Sequence, residues 1–171
     1  MEEERTKALC CKYSSPIGEI LIASHGEEIT GLWFTGQKYD RAGLEEIILT
    51  APENSGALHG AVSWLEEYFS GKEPKIPLKL SLRGTAFQKR VWHELLNIPY
   101  GRTVSYGELA GRLCCKSPRA VGAAVGRNPI SLVVPCHRVV GSGGSLTGYA
   151  GGMERKRYLL EIEKAGHRID K

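Results

Sequence analysis

The apolar residues change their spacing partway along the chain, and that change limits what it can fold into. Before residue 35 they fall in three short runs, residues 8–13, 17–24 and 29–34, rich in β-formers. Ser14-Ser15-Pro16 and His25-Gly26 supply the turns between them. The pattern predicts an antiparallel meander. Residues 44–49 then read as a short helix. Residues 55–69 read as a longer one, because Leu58, Ala61, Val62, Leu65, Tyr68 and Phe69 recur at helical spacing and Ser70-Gly71 ends it. Pro74-Lys75-Ile76-Pro77 is an extended connector, and a domain boundary is expected near residues 82–84.

Beyond that boundary the pattern is helical and the caps are explicit. Thr85-Ala86-Phe87-Gln88 has the form of a capping box and precedes a face built from Phe87, Val91 and Leu95. This helix should stop before Pro99-Tyr100-Gly101. Ser105-Tyr106-Gly107-Glu108 is a second capping box, opening a short helix to about Leu113. Ser117-Pro118 places an N-cap before a proline and opens a third helix to about Gly126. Two short helices a few residues apart fit a helix-turn-helix, the second carrying Arg119 and the small residues Ala120, Gly122, Ala123 and Ala124. A helix so bare either packs tightly on a neighbour or enters a narrow groove, and spacing alone leaves both open. The predicted class is α+β, with an N-terminal domain of antiparallel sheet and helix over 1–82 and a helical C-terminal domain over 83–171.

Composition excludes several classes. With 42% hydrophobic and 25% charged residues, a chain of 171 residues can bury a core without disulfides, so collagen, long coiled coil and wholesale disorder are out. No uncharged apolar run approaches the roughly 20 residues of a membrane span. The opening Met1-Glu2-Glu3-Glu4-Arg5 is acidic where a signal peptide is basic, so a cytoplasmic location is expected. The charge is also uneven. Residues 1–83 carry 9 Lys and Arg against 13 Asp and Glu, whereas residues 84–171 carry 14 against 6. Any polyanionic partner should therefore meet the second half.

Of the five cysteines, Cys10-Cys11 and Cys114-Cys115 are adjacent pairs without metal-binding spacing, and each is expected to be a small buried hydrophobe. Cys136 stands apart. Residues 130–134 form an uncharged, β-branched run, expected as a buried strand, that ends at Pro135 and leads into Cys136-His137-Arg138. A free thiol with a pKa of about 8.5 is only slightly ionised at neutral pH, and an imidazole within reach can take its proton. Neighbours on a regular strand face opposite sides. Cys136 and His137 can therefore cooperate only if the backbone bends there or a water bridges them.

Four runs, Gly126-Arg127-Asn128-Pro129, Pro135-Cys136-His137-Arg138-Val139, Gly148-Tyr149-Ala150-Gly151-Gly152 and Leu159-Leu160-Glu161-Ile162-Glu163, resemble the O6-alkylguanine-DNA alkyltransferases, also called methylated-DNA–protein-cysteine methyltransferases. Phe87-Gln88, Val104-Ser105-Tyr106 and Arg119-Ala120-Val121-Gly122 match as well. The resemblance is strong from about Gly84 to His167 and loose before it, where Ser15-Pro16-Ile17-Gly18 is the best landmark. It implies a ribonuclease H-like first domain, and a second with a winged helix-turn-helix-like unit and an active-site loop. The implied reaction moves the alkyl group of O6-alkylguanine in double-stranded DNA onto Cys136, once per molecule, by a monomer without a cofactor; acceptance of O4-alkylthymine is left open. His137 would take the thiol proton through a water. Glu163, rather than Glu161, would orient it, by its spacing from the cysteine, and Asn128 would tie the turn to the active-site loop. Arg119 would fill the gap left by a flipped base, Tyr106 would press on the target phosphate and then serve the base, and Tyr149 and Ala150 would line the pocket.

The chain also departs from the pattern. Some members carry a hydroxyl where Ala150 stands. The zinc site of others is not reproduced by Cys10, Cys11, His25 and His59, so no metal is expected. Trp33, Trp64 and Trp92 read as core aromatics, and Arg155-Lys156-Arg157 as a solvated helix face. Two rivals remain. A lesion-binding relative without chemistry would lack Cys136, and a cysteine hydrolase has only the Cys-His pair in its favour.

Overall fold

The computed structural model describes residues 7–44 and 46–169; the acidic opening, Met1 to Arg5, lies outside them. The three apolar runs form strands β1 (Ala8–Ser15), β2 (Gly18–His25) and β3 (Glu28–Phe34), paired antiparallel as expected. Helix α1 (Gly56–Phe69) starts where the Ser55 hydroxyl accepts a hydrogen bond from Leu58 N, and buries Leu58, Ala61, Leu65 and Tyr68. Complete burial of each such leucine contributes roughly 1.5–3 kcal/mol. The opposite sheet face keeps a smaller cluster of Ala8, Cys10, Leu21, Ala23 and Trp33.

Among the described residues, 44 and 46–49 do not form the expected helix. Ile47–Leu49 forms strand β4, parallel to β1 at the edge of a mixed sheet ordered β3-β2-β1-β4. A helix so short would gain few internal hydrogen bonds. The free edge of β1 offers them instead, through Ala8 N to Glu46 O and Thr50 N to Cys10 O, and Ile47-Ile48 suits an extended backbone.

In the second half the caps form as read. Thr85 and Gln88 complete a reciprocal capping box on α2 (Ala86–Leu95). Ser105 and Ser117 cap α3 (Tyr106–Arg112) and α4 (Pro118–Gly126), which pack as a helix-turn-helix. Cys114 is exposed in the turn between them with φ of 53°, a correction to its expected burial. Two short strands, β5 (Val104–Ser105) and β6 (Val139–Val140), pair in parallel. The last helix, α5, spans Met153–Ile169.

The hydrophobic core does not stop at the proposed boundary. Ile20, Leu32 and Phe34 from the sheet, Leu65 and Tyr68 from α1, Trp92 from α2, Val121 from α4 and Leu159 from α5 belong to one buried cluster. Trp33 and Trp92 are buried, whereas Trp64 is half-buried and stacks on Tyr68.

Candidate active site

The apolar run before Pro135 is buried but is not a strand. It begins as one, since Leu32 N donates to Pro129 O and Ser131 N donates to Leu32 O along the free edge of β3. Asn128 then diverts it. Its Oδ1 accepts from Ile130 N at 3.0 Å and its Nδ2 donates to Val134 O at 2.8 Å. Val134 N returns to Ile130 O, and Leu132 takes a φ of 71°. Local bonds thus replace a ladder. The chain leaves Pro135 in one tight 3-10 turn, Cys136–Arg138, so thiol and imidazole escape the opposed facing of a strand.

His137 is fully buried and its Nε2 makes a very short contact with Glu163 Oε2. An ionised carboxylate only accepts, so the proton in that contact sits on Nε2. Glu163 Oε1 accepts from Arg138 Nε at 2.6 Å and from Gly101 N at 3.3 Å. Burial alone would raise the Glu163 carboxyl, but the charges and hydrogen bonds of His137 and Arg138 outweigh it and hold the group well below the usual carboxylate range. Arg138 is fixed in turn by Ile98 O, 2.7 Å from Nη1. The other imidazole nitrogen, Nδ1, is buried and has no hydrogen-bond partner among the described residues. Glu161 is exposed, whereas Glu163 is the buried carboxylate that meets His137.

Cys136 is 5% exposed. Burial pushes its thiol up, against opposing help from an Asn128 hydrogen bond and the Lys156 charge. Without substrate the sulfur is therefore a thiol rather than a standing anion, and among the described residues no hydrogen bond joins it to the imidazole. Lys156 corrects the expected solvated face. It is fully buried, and its Nζ donates to Val139 O and Thr147 O at 2.5 and 2.8 Å, bridging both ends of the loop that follows Cys136. Burial brings its pKa down to about 8. Tyr106 opens α3, and its hydroxyl lies within hydrogen-bond reach of the carbonyls of Thr147 and Gly148, at 3.3 and 3.2 Å. Tyr149 carries a buried hydroxyl with no hydrogen-bond partner among the described residues, within electrostatic reach of Cys136.

An open cleft of about 930 Å³ is lined by Gly148, Tyr149, Ala150, Ala123 on α4, Tyr39 and Arg127. The Arg127 guanidinium lies 3.7 Å over the Tyr39 ring. Arg119 is exposed on the first turn of α4 beside Ala120. The structure thus gathers Cys136, His137, Glu163, Asn128, Tyr106, Tyr149 and Ala150 around one loop, and sets Arg119 apart on the outer face. Among the described residues no group of three or more metal-binding side chains forms.

Sequence reading missed three contributors. Lys156, Leu159 and Glu163 lie at i, i+3 and i+7 of α5 and are all buried, a spacing that could have drawn Lys156 inward. Arg138 stood in the signature without a role. Tyr68 gave no signal, because it occupied an apolar position of α1.

Two family models match the chain: a ribonuclease-like domain of 6-O-methylguanine DNA methyltransferase over residues 9–82, and the DNA-binding domain of the same family over residues 86–165. The methylated-DNA–protein-cysteine methyltransferase of Mycobacterium bovis is 49% identical over 88% of this chain and 89% of its own. That of Haemophilus influenzae is 41% identical over 93% and 87%. Among solved structures, Mycobacterium tuberculosis OGT in complex with DNA is similar with a TM-score of 0.83 and 46% identity, covering 92% of this chain and 94% of that one.

Proposed function

The chain belongs to the 6-O-methylguanine DNA methyltransferase family, and from that premise we propose how its residues divide the reaction. Its activity is direct repair of DNA by alkyl transfer from O6-alkylguanine to a cysteine of the protein itself. Cys136 is that cysteine. His137 takes the thiol proton at Nδ1 through a water, and Glu163 favours the imidazolium that results. The sulfur forms a bond to the alkyl carbon as the carbon–O6 bond breaks and leaves its electron pair on the guanine. The guanine gains one proton, matching the one the thiol lost. The products are guanine and an S-alkylcysteine, a thioether too stable to release its alkyl group, so each molecule acts once.

The O6 atom lies inside the base stack, so the nucleotide must swing out to reach Cys136. The exposed face of α4 is slim enough, at Ala120 and Ala123, to enter the minor groove, with Arg119 filling the vacated space. Reading shape and phosphates rather than bases suits repair in any sequence. Tyr106 is placed to meet the target's phosphate, and Tyr149 and Ala150 line the cleft for the base. The protein works as a monomer in the cytoplasm. Among the described residues no helix is long and apolar enough to cross a membrane.

The observation that carries this reading is the arrangement around His137: Nε2 is committed to an ionised Glu163 and Nδ1 is left for the proton of the neighbouring thiol. The test is stoichiometric. Incubation with DNA containing O6-methylguanine should add one methylene to the intact mass of each molecule, and Cys136→Ser should abolish the gain. Many turnovers per molecule, or tight lesion binding without a change in mass, would sink the proposal.

A further inference from the structure

The N-terminal half reaches Glu163 through a tyrosine hydroxyl. Tyr68 projects from α1, is fully buried, and its hydroxyl donates to Glu163 Oε2 at 2.6 Å. The same oxygen receives His137 Nε2, and the Tyr68 hydroxyl lies 3.5 Å from that nitrogen. Both groups are donors to one oxygen, not partners of each other. With Arg138 and Gly101 on Oε1, all four acceptor positions of the carboxylate are filled.

The ring of Tyr68 is held on several sides. It stacks on Trp64 at 5.4 Å and meets Tyr100, Phe69 and His137 edge-on. Packing alone would be served by phenylalanine, as at the next position, Phe69. A buried hydroxyl beside a carboxylate instead takes a share of the oxygen's negative charge. Burial, followed by the Glu163 charge, raises the Tyr68 phenol well above its ordinary value, so it stays a donor across the working range.

We propose that Tyr68 is a positioning residue of alkyl transfer, through which the N-terminal half fixes the Glu163 carboxylate and sets how strongly it grips His137. The inference rests on the alkyl-transfer reading above, and it gives the N-terminal half a part in the chemistry beyond scaffolding. It predicts that Tyr68 acts only through Glu163.

Tyr68→Phe keeps the ring and removes the hydroxyl. In the protein alone, without DNA, the imidazole Nε2–H proton resonance of His137 should move further downfield, because Oε2 then serves a single donor. In a double-mutant cycle, Tyr68→Phe should slow methyl transfer about 10-fold in the native background, the lower end for a hydrogen bond to a charged group, and less than about 2-fold in Glu163→Gln. An unmoved resonance, or the same fold-loss in both backgrounds, would reduce Tyr68 to a packing residue. If the native protein transferred no methyl group, the functional reading would fall, while the resonance would still decide whether Tyr68 tunes the His137–Glu163 contact.

Discussion

Lys156 donates a hydrogen bond from Nζ to the carbonyl oxygen of Thr147 at 2.8 Å, fastening α5 to the loop that follows Cys136. The same ammonium holds Val139 O at the other end of that loop. It is also the buried cation that favours ionisation of the Cys136 thiol.

Lys156→Met keeps the apolar stem and removes both roles. Methyl transfer to Cys136 should fall by at least about tenfold, the cost of losing charged hydrogen bonds that order the loop. The variant also reports on pH. Burial lowers the lysine to about 8 in the folded protein, below its unfolded value. Between about pH 8 and roughly 10.4 the unfolded chain binds the extra proton, so folding stability gains as pH rises through that window. The stability of the native protein relative to Lys156→Met should therefore climb across it in denaturant titrations. A flat difference would mean that the lysine is not perturbed.

Glu163→Gln leaves a side chain of the same size, without the charge that favours the imidazolium. Methyl transfer should slow by about 10- to 100-fold, in the range of general acid–base effects, while affinity for DNA changes by less than about 2-fold. The folded carboxyl is held below its unfolded value, so its contribution to stability is present above about pH 4.3 and is lost as pH falls through the lower folded value. The native protein should lose stability more steeply than Glu163→Gln on acidification below about pH 5. Equal slopes, with circular dichroism confirming that both are folded, would contradict the ion pair.

What could be read from residues alone follows the range of the forces involved. Helix starts at Thr85, Ser105 and Ser117 were legible because a cap is satisfied within three residues. The meander was legible because its turns are local. Residues 47–49 and 130–134 were misread because distant backbone decided them: the free edge of β1 recruited one, and Asn128 folded the other away from β3. Cys136 and His137 stood out as a thiol beside an imidazole, but Glu163 came only from the family resemblance, since it lies far along the chain from His137. Tyr68 and Lys156 were illegible for a related reason: a buried polar group on an amphipathic helix declares itself only when its partner, on another element, is known.

Asn128 replaces a missing strand with one side chain, so its loss should be felt in the fold as well as in the reaction. Asn128→Ala leaves Ile130 N and Val134 O buried without the bonds at 3.0 and 2.8 Å. Val134 O keeps its bond from Cys136 N, so Ile130 N is the one orphaned backbone group, at a cost of about 1–3 kcal/mol. Denaturant titration should show a loss in that range, and methyl transfer should drop with it. Asn128→Asp should be at least as damaging, because a carboxylate oxygen would face the Val134 carbonyl. A stability change below about 0.5 kcal/mol in both variants would show that the turn before Cys136 holds without them.

Arg119 lies exposed on the first turn of α4, with no part in the core, so its removal tests the proposed division between DNA handling and chemistry. Arg119→Ala should leave stability within about 0.5 kcal/mol of native, as for surface sites in general. Repair of O6-methylguanine in duplex DNA should slow by about tenfold or more, because nothing then occupies the stack while the base is out. Reaction with the free base O6-benzylguanine needs no duplex, and its rate should stay within about 2-fold of native. Placing the lesion opposite an abasic position offers a further check, since a base with no partner costs less to extrude and the penalty of Arg119→Ala should shrink there. Equal losses on duplex and free base would place Arg119 in the chemistry of the pocket and end its assignment as the residue that fills the gap.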